Sequence, residues 1–171
     1  MRDIQLPVRY KAALPPTEED WSDAKHLRKL GGRISSAALA IDDVIVSILM
    51  HTVLGEVREH RQLVIGSILK TNWCSLEAKR TLLLAMVERF QLLPKTEKNT
   101  LEKSMRHIIE YRNAFAHGTL LHTGEAHALQ YFKGGPQSLV LNDALLEKLE
   151  GHFLSAWNTL VNIESKLEAG G

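Results

Sequence analysis

The chain has 171 residues, enough for one domain with a substantial core and short for two. Its hydrophobic fraction of 44%, charged fraction of 24% and formal net charge of +1 are ordinary for a globular protein and argue against a strongly basic, non-specific polyelectrolyte binder. The single cysteine, Cys74, excludes an intramolecular disulfide framework, so we expect a reducing compartment, the cytoplasm.

We predict neither a secretion signal nor a membrane span. The first residues lack the apolar core of a signal peptide. The longest apolar run, from Val44 to Leu54, is interrupted by Ser47 and His51 and follows two aspartates, so we expect no membrane partner.

The N-terminal part of the chain is predicted to be an arm followed by a helix. Residues 1–16 carry three prolines and little hydrophobic periodicity, which is typical of an extended arm. Thr17 is predicted to cap a helix that runs to Leu30, because acidic residues fill its first turn. We expect Gly31-Gly32 to break or bend this helix.

The next predicted helix, residues 33–54, has apolar residues over most of its circumference, so it should be buried on several sides as the centre of the fold. Asp42 and Asp43 are unexpected in such a helix. At least one of them must reach solvent, a hydrogen-bond partner or a cation, and a solvated edge for both is the simplest interpretation.

Apolar periodicity and capping residues predict the remaining elements. The predicted helices are 58–71, Leu76–Leu93 with Ser75 as N-cap and Pro94 as terminator, Thr96–His117 with Gly118 as a left-handed C-cap, and a final helix capped by Asn142 or Asp143 that runs to about Leu167. A hairpin and a short third strand are predicted between the last two. We therefore predict an all-α fold, an antiparallel bundle of four to five helices with a small β-hairpin insertion near residues 119–141, in one domain of residues 17–168.

The usual catalytic motifs are absent from the sequence. It has no P-loop, dinucleotide fingerprint, zinc-protease motif or nucleophile elbow. Among the eight histidines, His117, His122 and His127 recur at intervals of five, but this spacing crosses a helix end and a hairpin and matches no metal-ligand template. We predict neither a metal nor a cofactor.

The segment from Glu110 to Gly118 is chemically more specific. At about 100° per residue, Arg112 falls within about 60° of Leu101 and Ile108 on a helix, which predicts a guanidinium in the middle of the apolar face. A charge there points to the interior or to a partner surface, because an unpaired buried charge is very costly. The simpler alternative is an arginine whose stem packs while its head reaches water or the last carbonyls of the helix.

His117 lies about 7.5 Å along the helix and about 140° around it from Arg112. Asn113 and Glu110 fall on its side of the helix, as candidates to orient the imidazole and to raise its pKa respectively. The negative end of the helix dipole also favours the protonated imidazole. A titrating histidine beside a fixed cation suits proton transfer at a phosphate, and a twofold dimer would supply the second pair that RNA cleavage needs.

The residues from Arg112 to His117, Arg-Asn-Ala-Phe-Ala-His, resemble the R-x4-6-H motif of HEPN domains, and the helix order over residues 33–167 is similar to theirs. The resemblance implies a homodimer whose motif helices face each other across a cleft. It also implies metal-independent endoribonuclease activity that leaves a 2′,3′-cyclic phosphate. By this resemblance Arg112 would hold the scissile phosphate, His117 would act as general acid and base, and Asn113 would orient or bind.

HEPN domains serve as toxins, in phage defence and in RNA-targeting immunity, which implies RNA and an antitoxin or regulatory partner for this chain. HEPN toxins carry a tyrosine two residues after the motif histidine, where this sequence has Thr119. An antitoxin that modifies that tyrosine is therefore not implied.

Two alternatives to the ribonuclease stay open. One is a non-catalytic HEPN module that binds nucleotide or nucleic acid or serves dimerisation. The other is an unrelated helical protein in which Arg112 only caps a helix. Arg106 and His107 are candidates for contacts to RNA phosphates, although lone charges are more often simply solvated.

Overall fold

The structure, a computed structural model, describes residues 9–10, 18–54, 62–71, 74–122 and 127–170. The described residues are mostly helical and carry one small sheet. In chain order the elements are β1 (Arg9–Tyr10), α1 (Glu18–Leu54), a π-helical turn (Ile65–Leu69), α2 (Leu76–Arg89), α3 (Lys95–His117), β2 (Thr119–His122), β3 (His127–Phe132), β4 (Pro136–Leu141) and α4 (Asp143–Gly170).

The sheet has the strand order β1-β2-β3-β4. Antiparallel pairing places Leu121 opposite Ala128 and Leu129 opposite Leu139, which confirms the predicted hairpin and third strand. The pairing of β1 with β2 is parallel. Two residues of the predicted N-terminal arm are therefore part of the sheet, and the rest of the arm lies outside the described residues.

The chain divides into two compact units. The sheet unit comprises residues 1–36 and 110–150, and the helical unit comprises residues 37–109 and 151–171. Helices α1, α3 and α4 each contribute residues to both units.

Each unit has its own set of buried apolar residues. The sheet unit buries Ile34, Tyr111, Ala114, Leu121, Ala128, Leu129 and Leu149. The helical unit buries a larger cluster that includes Ile41, Ile45, Ile48, Leu83, Val87, Leu101, Met105, Ile108, Leu160 and Ile163.

Helix α1 is continuous through Gly31-Gly32 over its 37 residues, so the predicted break there is wrong. A Cβ added at Gly31 would lie 3.1 Å from Cδ1 of Phe115, whereas a Cβ at Gly32 would meet nothing within 4 Å. Gly31 is thus explained by the close approach of the Phe115 ring and not by a helix end.

The apolar residues of α1 are those of a core helix. By length and composition the segment Lys25–Val53 is apolar enough to cross a membrane, and it is the one such segment among the described residues; half of its most apolar window is buried inside the protein. Ile41, Ile45 and Ile48 are at most 1% exposed. These three isoleucines therefore pack in the core of the helical unit, as predicted for the helix over residues 33–54.

The two aspartates inside α1 have different partners. Asp42 accepts hydrogen bonds of 2.7 Å and 2.6 Å at its two carboxylate oxygens from Nζ of Lys79, and the side chains are 18% and 5% exposed. Asp43 pairs with Lys70 at 2.9 Å, with both side chains more than half exposed. The prediction that both aspartates lie on a solvated edge is correct for Asp43 and wrong for Asp42.

Two helices begin at the N-cap residues predicted from the sequence. Ser75 accepts a hydrogen bond from the backbone N–H of Ala78, and Asn142 accepts one from Leu145, so both predicted N-caps are confirmed. Helix α2 stops at Arg89, earlier than predicted, because Gln91 adopts a positive φ of 52°. The backbone N–H of Leu92 then donates to the carbonyl of Val87 and closes the helix.

Of the helix predicted over residues 58–71, the described part is a helical turn followed by the π-helical turn. Its first residues lie outside the described ranges. The register of the π turn is set by the bond from the N–H of Lys70 to the carbonyl of Ile65, 2.9 Å long, which is the five-residue spacing of a π-helix.

The buried Asp42–Lys79 pair gives a test of the helical unit. Lys79→Met leaves a largely buried carboxylate without its cation and should lower the free energy of unfolding by about 3–5 kcal/mol. The double variant Asp42→Leu with Lys79→Met should recover most of that loss, because both charges are then removed. Urea denaturation followed by circular dichroism measures both changes.

The exposed pair provides the matched control for this experiment. Lys70→Met removes the partner of Asp43 at the surface and should cost at most about 1 kcal/mol. Equal losses for Lys79→Met and Lys70→Met would show that burial of the Asp42–Lys79 pair does not make it more important for stability than the exposed pair.

Candidate active site

The last two turns of α3, residues 110–117, carry the predicted site. Tyr111 and Ala114 are buried there, and both belong to the sheet unit. The exposed residues in the same two turns are Arg112, Asn113, Ala116 and His117. Around the helix these four fall within an arc of about 140°, so they form one exposed face, which we call the motif face.

Of the environments predicted for Arg112, the protein interior is wrong, because the residue is exposed, and the partner surface stays a prediction. The prediction extended the direction of Leu101 and Ile108, which are buried in the helical unit, to the end of the helix. In the part of α3 that belongs to the sheet unit, the buried residues are instead Tyr111 and Ala114. They lie about 100° and about 160° away from Arg112 around the helix. The change of buried side leaves the guanidinium in solvent.

Arg112 and Asn113 are joined directly. Nη1 of Arg112 donates to Oδ1 of Asn113 over 3.0 Å. The amide oxygen thus helps to fix the guanidinium, and the role predicted for Asn113 toward His117 stays a prediction. His117 is exposed and is the last residue of α3.

Glu110 contacts the sheet. Its Oε1 accepts a 3.0 Å hydrogen bond from the hydroxyl of Tyr131, and its Oε2 pairs with Nζ of Lys133 at 2.7 Å. Tyr131 is on β3 and Lys133 follows it, so the carboxylate joins the end of α3 to this part of the hairpin. With both carboxylate oxygens engaged in this way, the predicted influence of Glu110 on His117 stays a prediction.

Burial, together with the nearby Glu110 carboxylate, raises the pKa of two tyrosines. Burial, followed by the hydrogen bond to Glu110 and the charge of Glu110, raises the pKa of Tyr131 to about 12. Burial and then the charge of Glu110 also raise the pKa of Tyr111. At neutral pH both tyrosines are therefore neutral, and Tyr131 serves as a hydrogen-bond donor.

Tyr131 and its hydrogen bond to Glu110 were missed from the sequence. The two residues are 21 positions apart, and no local motif links them. The hairpin register, with Tyr131 opposite Gln137, determines which side chains of β3 lie on the side of Glu110. The sequence around Glu110 does not predict this register.

Gly118 fixes the connection from His117 into the sheet. The glycines with positive φ among the described residues are Gly134 and Gly135, so the predicted left-handed cap at Gly118 is wrong. A Cβ at Gly118 would instead overlap the carbonyl oxygen of Ala114 and lie 3.0 Å from Cγ of Leu129. A glycine is needed here because α3 passes directly into β2 against β3.

Arg106 and His107, the candidates for RNA contacts, belong to the helical unit. Arg106 is exposed and pairs with Glu102 at 2.9 Å. The His107 ring is half-buried and stacks on His152 with 4.4 Å between ring centroids. The structure does not test their contact with RNA.

Chemically, the motif face offers a guanidinium, an amide and an imidazole to solvent, the groups that bind and protonate phosphate oxygens. Within the described residues, no group of three or more His, Cys, Asp and Glu side chains is placed to hold a metal ion. Comparisons with protein-family models, curated proteins and solved structures found no match.

The raised pKa of Tyr131 predicts a pH dependence. Between the ordinary tyrosine pKa of about 10 and about 12, the unfolded chain loses the Tyr131 proton while the folded chain keeps it. Stability should therefore fall as the pH rises through this window, and the contribution should be complete below it.

The measurement is the alkaline absorbance of phenolate in the wild type minus that in Tyr131→Phe, which isolates this residue. We expect a midpoint of about 12 in the folded protein. A midpoint of about 10 in the folded protein, the ordinary value, would show that Tyr131 does not donate to Glu110.

Proposed function

We propose that the protein is a metal-independent endoribonuclease of the HEPN type, which cleaves single-stranded RNA in the cytoplasm as a toxin or phage-defence effector under an antitoxin or regulatory partner. One observation carries the proposal. Arg112, Asn113 and His117 are all exposed on the motif face, with the small Ala116 between Arg112 and His117 around the helix. The groups that the reaction needs are thus open to a substrate or to a second copy.

The proposed reaction is attack of a ribose 2′-hydroxyl on the adjacent phosphorus. His117 of one subunit takes the hydroxyl proton while the new O–P bond forms, and the partner subunit's His117 gives a proton to the departing 5′-oxygen as the old bond breaks. Arg112 donates hydrogen bonds to the phosphorane oxygens, where negative charge accumulates. The products are a 2′,3′-cyclic phosphate and a 5′-hydroxyl.

The reaction requires a twofold dimer, because one His117 cannot be base and acid in the same step. A twofold axis brings the same surface of both subunits together. Ala116 at the middle of the motif face allows two α3 helices to approach closely, and Arg112 and His117 on its two sides then line a shared polar cleft.

A non-catalytic HEPN module that binds nucleotide or nucleic acid, or that serves dimerisation, is the second candidate. It is favoured by the exposed guanidinium of Arg112, which Oδ1 of Asn113 holds by a 3.0 Å hydrogen bond. This module needs Arg112 at the surface and does not need His117 to exchange protons.

The central experiment compares RNA cleavage by the wild type, Arg112→Ala and His117→Ala in the presence of a chelator, with a mixed-sequence single-stranded RNA. We expect cleavage by the wild type, a loss of about 10²–10⁴-fold for His117→Ala, and a loss of about 10²–10³-fold for Arg112→Ala. The double variant should be no worse than the poorer single variant, because the two groups act in one step.

Exposed residues of the same types serve as controls, and His26→Ala and Arg89→Ala should both keep wild-type activity. End-group analysis should find the 2′,3′-cyclic phosphate. If wild type and motif variants are equally inactive while RNA binding falls only in Arg112→Ala, the binding module is the correct function. Cleavage that stops with chelator would reject the metal-independent mechanism.

The dimer is tested by Ala116→Arg, which places a large cation at the middle of the motif face of both subunits. Sedimentation should show a dimer for the wild type and a monomer for Ala116→Arg, with loss of RNA cleavage in parallel. Ala85→Arg, at an exposed position of α2, is the matched control and should leave both unchanged. A variant Ala116→Arg that stays dimeric and active would place the interface elsewhere.

A further inference from the structure

A pocket of about 410 Å³ lies between α1 and the π-helical turn. Its residues on α1 are Asp43, Val46, Ser47, Met50 and His51, spaced three and four apart and therefore on one side of the helix. All of its lining residues belong to the helical unit. The volume is within the range of small-molecule sites, roughly 300–1,000 Å³.

Three of the lining residues are apolar: Val46, Met50 and Ile65. Val46 and Met50 are each 4% exposed, and the half-buried Ile65 of the π turn lies across from them. A thioether and branched aliphatic groups suit the faces and edges of an aromatic ring, since sulfur makes favourable contacts with such rings. An aromatic body is thus better matched here than a flexible polar one.

The lining of the pocket also includes uncharged polar residues. Ser47 and His51, both half-buried, are four residues apart on α1 and contribute a hydroxyl and an imidazole to the lining. These two side chains can donate or accept hydrogen bonds. A ligand with one hydroxyl or similar group can hydrogen-bond to the Ser47 hydroxyl or the His51 imidazole without carrying a formal charge.

The two formally charged residues of the lining, Asp43 and Lys70, carry opposite charges. Asp43 and Lys70 lie on the lining and pair with each other at 2.9 Å, with both side chains more than half exposed. Because each charge already faces its opposite, an anionic ligand meets the aspartate and a cationic ligand meets the lysine at similar cost. The pair thus disfavours charged ligands of either sign.

We propose that this pocket binds a small uncharged aromatic molecule that carries a hydroxyl or equivalent hydrogen-bonding group. The π-helical turn supports the assignment, because π turns are frequent at functional sites and this one presents Ile65 to the pocket. No lining residue lies on the motif face, so the proposal does not depend on ribonuclease activity.

A series of probes with the same ring and different polar groups tests the proposal. Benzyl alcohol is uncharged, benzoate is anionic, benzylamine is cationic and toluene lacks a polar group. Titrations of the full chain are followed by backbone amide NMR. We expect saturable shifts at residues 43–51 and 65–70 with benzyl alcohol, at a dissociation constant of about 1 mM or below, and binding about tenfold weaker for the other three.

Two variants locate the binding. Ser47→Leu fills the pocket and should weaken benzyl alcohol binding at least about tenfold. Ser36→Leu, the same change at an exposed position of α1, should leave the binding unchanged. Ser47→Ala removes only the hydroxyl and should weaken binding by about threefold, so the proposal stays testable if the leucine variant does not fold.

Several results would overturn the proposal. Tighter binding of benzoate or benzylamine would show a charged-ligand site. Equal binding of toluene would show that no hydrogen-bonding group is recognised. An absence of saturation up to about 10 mM, or unchanged binding in both Ser47 variants, would show that the pocket does not hold this class of molecule.

Discussion

One ion pair in the helical unit, between Asp42 on α1 and Lys79 on α2, constrains how these two helices pack. Helix α1 is buried on several sides, and a carboxylate in it is tolerated because a lysine on α2 with a side chain only 5% exposed neutralises it at both oxygens. Apolar contacts with Ile41 and Ile45 next to it would tolerate small shifts of α2 along α1. The two charges do not tolerate such a shift, because separating them would leave both buried without a partner. We infer that this pair fixes how α2 lies on α1.

The candidate active site depends on a different constraint, the change of buried side along α3. Where the helix belongs to the helical unit it buries Leu101 and Ile108, and where it belongs to the sheet unit it buries Tyr111 and Ala114. A single amphipathic stripe would have placed Arg112 against protein. The change of side instead leaves a guanidinium and an imidazole in solvent, the position from which a second subunit or an RNA strand can use them.

Local signals were sufficient for two of the helix N-caps and for the hairpin. Ser75 and Asn142 cap helices because a short polar side chain reaches its own helix start, and the hairpin follows from a change of period after Gly118. Features that depend on distant residues were not accessible. The glycine at position 31 inside α1 is explained by the ring of Phe115, 84 positions away in sequence. The exposure of Arg112 follows from a change of buried side that the periodicity of α3 does not show. Within the site, Arg112, Asn113 and His117 could be identified because they lie in one short motif. The contacts of Glu110 could not, because they depend on the strand register. The HEPN assignment remains a proposal.

The parallel pairing of β1 with β2 has a consequence for biogenesis. Arg9 is opposite Leu121, so β1 precedes α1, α2 and α3 in the chain but pairs with a strand that is synthesised only after them. Contacts this distant in sequence close a large loop and form slowly. Residues 110–117 therefore emerge before the sheet beside them can be completed. On a nascent chain the proposed catalytic groups are therefore synthesised before the four strands of the sheet unit can all be paired.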